Sequence, residues 1–150
     1  MVIGFSSFSE FENTIETGQL TENDVQFLKE NYNWNSEDFL IVNFKQPRSS
    51  CQYDNYKNLK KSVKWWSTFY AELKLEHVRT IFIYADHKKA KKVIDSKSHF
   101  EDINSFIYTT FFSKDQTCVG IVVVNKKGVF QKHAGEYTQE NVAELVKNLK

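Results

Sequence analysis

Apolar residues along the 150-residue chain follow two patterns in turn. In Phe39-Leu40-Ile41-Val42-Asn43-Phe44, Arg79-Thr80-Ile81-Phe82-Ile83-Tyr84 and Val119-Gly120-Ile121-Val122-Val123-Val124 they run almost without interruption. Runs this short, rich in β-branched and aromatic residues, predict strands buried on both faces. Between the first two, Tyr56, Leu59, Val63, Trp66, Tyr70 and Leu73 recur at alternating spacings of three and four. That is the stripe of an amphipathic helix laid against a sheet, with Lys57, Lys60, Lys61 and Lys64 outward or at its flank. A strand, a long helix and a second strand predict a parallel crossover.

The turn signal Asn125-Lys126-Lys127-Gly128 predicts a hairpin between residues 119–124 and 129–133. Thr138 is a candidate cap for a terminal helix with Val142, Leu145, Val146 and Leu149 inward. Two helices are expected ahead of the first strand. One covers residues 7–16 on Phe8, Phe11 and Ile15 and ends near Gly18. The other starts at Thr21, carries Glu22 and Asp24 in its first turn, and faces inward with Val25, Leu28 and Tyr32. Residues 87–95 predict a further helix packing through Ala90, Val93 and Ile94. Residues 106–112 fit either an extra strand or a connecting turn. The expected order is β-α-β-α-β-β-α in one domain, with a helical N-terminal extension over 1–37 and an α/β core over 38–150. The core should have three layers, α/β/α, around a mixed sheet of four or five strands.

Composition narrows the function classes. With 41% hydrophobic, 26% charged and 15% aromatic residues the chain is globular. No apolar run approaches the roughly 18 residues that span a bilayer. The first residues lack a secretion signal's basic start and apolar block, so a cytoplasmic location is expected. Residues 1–38 hold eight acids against Lys29, leaving a net +8 on the remainder. This asymmetry fits either recruitment of a charged partner or an acidic arm lying on a basic body. The aromatics of the lysine-bearing helix fall on its core face, which argues against nucleic acid or an anionic membrane as partner. Five scattered glycines form no phosphate loop, so no nucleotide cofactor is expected. Four histidines without paired ligand spacing predict no metal. Asp86-His87 reads as a turn at a strand end rather than an acid–base pair.

Candidate chemistry centres on Cys51. It lies between a strand and a helix start, where unpaired N–H groups and the helix dipole favour a thiolate. The element order and local text resemble the thioredoxin-like superfamily, particularly bacterial thioredoxin-like reductases. Val42-Asn43-Phe44 running into Arg48-Ser49-Ser50-Cys51-Gln52 is similar to the family's strand and Cys-x-x-Cys loop. Thr117-Cys118-Val119-Gly120, followed by a strand and Asn125-Lys126-Lys127-Gly128, is similar to its cis-proline register. The resemblance covers about residues 39–150 and implies a thioredoxin fold with a degenerate active site. Ser49 falls where the attacking cysteine would be, Gln52 near the resolving one, and Val119 at the proline, where a trans peptide is expected.

The resemblance further implies that Cys118 passes beside the active-site loop. Cys51 and Cys118 could then be two unrelated thiols, a reversible disulfide or part of a metal site. The expected function is protein binding or assembly. The alternative is a single-cysteine redox protein, a monothiol oxidoreductase or a peroxiredoxin-like enzyme, in which Cys51 attacks with help from Arg48, Lys45 and the helix start. Pro47-Arg48-Ser49-Ser50-Cys51 is faintly similar to the peroxiredoxin arrangement of proline ahead of cysteine. The candidate catalytic residues are Cys51, Cys118, Arg48 and Ser49.

Overall fold

The computed structural model describes residues 11–12, 14–46, 51 and 56–150. Six strands form one mixed sheet: β1 (Glu16–Gln19), β2 (Phe39–Lys45), β3 (Val78–Tyr84), β4 (His99–Glu101), β5 (Val119–Asn125) and β6 (Val129–Ala134). Their spatial order is β1-β6-β5-β2-β3-β4. The most apolar strand, β2, lies in the middle, parallel to β3 on one side and antiparallel to β5 on the other. Every residue of β2 is buried, as a strand covered by helices on both faces requires.

The α-helices fully within the described residues are α1 (Glu22–Tyr32), α2 (Leu59–Leu73) and α3 (Gln139–Asn148). Capping boxes start α1 and α3. The Thr21 and Thr138 hydroxyls accept from the Asp24 and Asn141 N–H groups, whose own side chains accept from the capping residue's N–H. α1 ends on Asn33, which adopts the left-handed conformation at φ 55°.

Strand alternation divides the core. Leu40, Val42, Phe44, Ile81, Ile83 and Val122 pack with α1 and residues 107–112. Phe39, Ile41, Phe82, Tyr84, Ile121 and Val123 pack with α2 and α3. The expected three layers are therefore present, with the parallel β2–β3 pair and the β5–β6 hairpin.

The structure corrects five expectations. The sheet has six strands, not four or five. The N-terminal region is not wholly helical: residues 11, 12 and 14 are helical, but β1 pairs antiparallel with β6. Gly18 terminates no helix. It lies opposite Phe130, where a Cβ would come within 2.4 Å of the ring. The expected start at residues 7–10 lies outside the described residues.

Residues 87–93 form turns rather than a helix, closed by N–H groups of Ala90 and Val93. Ala90 is buried there and Val93 and Ile94 pack partly buried against the same core, as expected, while the four lysines around Ala90 are exposed. Residues 106–112 are neither a strand nor a simple connecting turn but helical, closing in a π-helical turn, Tyr108–Phe112. Asp102 selects that form by accepting from the N–H groups of Ile107 and Tyr108 at 2.9 and 3.0 Å. Two acids of the N-terminal region pair with lysines of the body: Asp38 with Lys126 at 3.0 Å and Glu16 with Lys132 at 3.3 Å. Among the described residues no helix is long and apolar enough to cross a membrane.

Candidate functional site

The site forms where the end of β2 meets the start of β5. The two strands are antiparallel neighbours with Lys45 opposite Val119, so the segment leaving β2 and the turn entering β5 must lie side by side. The Gln46 N–H donates to the Cys118 carbonyl at 2.9 Å. Beyond it Cys51 and Cys118 are joined in a disulfide, with Cα atoms 6.1 Å apart and a sequence separation of 67. Of the alternatives for the two sulfurs, the structure contains the bond. Neither is a free thiolate, and among the described residues no three His, Cys, Asp or Glu side chains converge on a metal position. Arg48 and Ser49, the other candidate catalytic residues, lie outside the described residues, as do Pro47 and Gln52.

Val119 is buried, and no cis peptide occurs among the described residues. Its carbonyl accepts from the Gly135 N–H at 2.8 Å and from the Thr117 hydroxyl. The turn before β5 is thus held by its own hydrogen bonds.

Beneath the disulfide lies a buried polar layer on the α2 face. Lys45 is 2% exposed; its Nζ donates to Ser62 Oγ at 2.7 Å and sits 5.0 Å from the Trp66 ring centroid. The ammonium is held inside the fold. Asn43 is fully buried. Its Oδ1 accepts from Tyr70 Oη at 2.5 Å and Tyr137 Oη at 2.7 Å, and its Nδ2 donates to the Ile81 carbonyl at 3.0 Å. One amide thereby ties β2, β3, α2 and the turn before α3 together. Burial pushes the Tyr70 phenol upward despite the bond to Asn43.

Tyr84 Oη and His99 Nδ1 meet at 2.8 Å, and the imidazole stacks on Phe82. Burial pushes His99 below its ordinary value, the Lys45 charge adds to this, and Asp95 opposes it. Desolvation would raise Asp95 itself. N–H groups of His99, Lys97 and Ser98 outweigh that and hold its carboxyl down at about 2. The sequence reading missed this layer. Its one visible sign was a polar Asn43 inside an otherwise apolar strand.

Beside the disulfide a groove of about 580 Å³ opens between α2 and the turn leading to α3, with Ser62, Trp65 and Trp66 on one wall and Val119, Glu136 and Tyr137 on the other. Trp65 is 60% exposed, the exposed large hydrophobic residue among those described. It is propped against Trp66 and Phe69, with ring centroids 5.0 and 5.5 Å away. The Trp65-Trp66 doublet could have announced this, since neighbours on a helix differ by about 100° and cannot share one apolar face.

No family model and no curated protein sequence matches the chain. Among solved structures the fold is similar to the crystal structure of StoA from Bacillus subtilis, with a TM-score of 0.51 at 16% identity, over 75% of this chain and 84% of that one. At that identity the likeness concerns the fold alone, a mixed sheet resembling the thioredoxin-like fold; the two cysteines of this chain are joined without forming a Cys-x-x-Cys motif.

Proposed function

We propose that the chain is a protein-binding module on a thioredoxin-like scaffold, gripping an exposed segment of a partner protein in the groove beside Val119. The observation that carries this is Trp65, a large aromatic held out of the core at the rim of that groove. Aromatic anchors of this kind dominate protein interfaces because they bury much apolar area at little conformational cost. Ser49 stands at the position resembling the family's nucleophile, and a hydroxyl does not replace a thiolate in disulfide exchange.

The Cys51–Cys118 bond favours a second reading, thiol–disulfide exchange using both cysteines instead of Cys51 alone. A partner thiolate would attack one sulfur and break the bond, forming a mixed disulfide. A second partner thiol would then resolve it, leaving two cysteine thiols here and an oxidised partner.

One pair of assays separates the two. Binding of a permanently unfolded, fully alkylated polypeptide should saturate with wild type and Cys51→Ser alike and weaken at least tenfold in Trp65→Ala, while insulin reduction stays at the uncatalysed rate. Turnover abolished by Cys51→Ser, with no saturable binding, would replace the binding function by the redox one.

A further inference from the structure

The groove continues past Trp65. On the far side of that ring a second depression of about 480 Å³ is lined by Thr68, Phe69, Glu72, Gln139 and Glu140. Trp65 and Tyr137 border both depressions, so the two form one trough with Trp65 as a ridge across it. Helix geometry makes the trough straight. Lys61, Trp65, Thr68 and Glu72 are separated by four, three and four residues, so all four lie along one side of α2.

The ends of the trough differ in charge. Lys61 stands at the end near Val119, with Lys64 one turn on; among the described residues neither is engaged in an ion pair. Glu136 is the acid on that end's opposite rim. The other end carries Glu72 and Glu140 and no basic residue in its lining. Gln139 Nε2 donates to Glu72 Oε2 at 2.9 Å and to the Phe69 carbonyl, fixing the Glu72 carboxylate at the rim.

We infer that this trough takes an extended segment of another protein in which an acidic and a basic residue flank apolar side chains packed against Trp65. The inference rests on the binding function proposed above and adds the chemistry of the partner. From Lys61 to Glu72 is 11 residues of helix, about 16 Å at 1.5 Å per residue. An extended chain covers that distance in about five residues at roughly 3.3 Å each. The partner's two charges therefore stand about five positions apart, the acid over Lys61 and the base over Glu72 and Glu140. A trough with opposite ends accepts the segment in either chain direction, provided its charges are unlike.

Four fluorescein-labelled peptides test this by anisotropy at low salt. They share one apolar centre and carry, five positions apart, acid then base, base then acid, two acids or two bases. Both mixed peptides should bind about fivefold tighter than either like-charged one, as exposed ion pairs allow. Lys61→Glu should transfer the preference to the doubly basic peptide, and Glu72→Lys to the doubly acidic one. Equal affinity for all four, with binding still lost in Trp65→Ala, would overturn the charge pattern and leave the groove as a binding site. No saturable binding, or binding indifferent to Trp65→Ala, would remove both. Concentration-dependent self-association in sedimentation that Trp65→Ala abolishes would assign the trough to a second copy of the chain and overturn the partner proposed here.

Discussion

Asn43 concentrates more of the architecture in one side chain than any other residue of β2. Its amide accepts from two tyrosines and donates across to β3, so Asn43→Leu takes an acceptor from Tyr70 and Tyr137 at once. A buried polar group stripped of its partner costs about 1–3 kcal/mol. Asn43→Leu should therefore lose about 2–4 kcal/mol in urea unfolding and Tyr137→Phe clearly less; equal losses would show that the shared acceptor is not the cause. His99 sets a pH dependence. Because burial lowers its folded value below the ordinary 6.5, the unfolded chain takes up a proton that the folded chain refuses. The stability is fully present above the unfolded value and declines as the pH falls toward the folded one. His133, also lowered by burial, acts in the same sense. The urea midpoint should drop between pH 7 and pH 5, and His99→Gln should flatten that slope.

Among the elements, those that depend on apolar content or on a cap at their own first turn were legible, and those that depend on backbone pairing or on a side chain outside the segment were not. β2, β3 and β5 announce themselves because both of their faces are covered, and α1 and α3 because Thr21 and Thr138 sit ahead of acidic or amide partners at the right distance. β1 is Glu-Thr-Gly-Gln and β4 is His-Phe-Glu. At a sheet edge such segments need only backbone groups to pair, and nothing in their side chains says so. Residues 106–112 have strand-like composition, yet Asp102, four residues upstream, decides their form through two N–H groups. The site divides in the same way. The meeting of Cys51 and Cys118 was implied by the family resemblance, whereas the Trp65 groove depends on the turn before α3, which supplies its second wall through Glu136 and Tyr137. Gly120 gives an element-scale test: a Cβ there would lie 2.4 Å from the Phe112 ring, which stacks on Phe44 at 4.9 Å. Gly120→Ala should cost about 1–3 kcal/mol through overpacking; a melting temperature unchanged within error would mean that Phe112 has room to move.

At the scale of the whole molecule the disulfide joins two segments that the sheet has already brought together, so its main effect falls on the unfolded chain. Closing a loop of 67 residues lowers the entropy of that state by an amount equivalent to about 4 kcal/mol, an upper figure for its stabilisation. Reduction, Cys51→Ser and Cys118→Ser should lower stability by similar amounts, and the double variant by no more than either single one. Additive losses would show that each sulfur packs independently of the bond.

The crosslink also changes how the chain responds to being pulled. A force applied to its two ends passes from Cys51 directly to Cys118, and α2, β3, β4 and the π-helical turn between them stay slack. Threaded through a narrow pore or a processive unfoldase, the oxidised protein presents a doubled strand where the reduced one presents a single strand. In single-molecule stretching the oxidised chain should extend about 220–240 Å less than the reduced one, the contour length of the chain over the sequence separation of 67 between the two cysteines. Such a domain reports the redox state of its surroundings as a length.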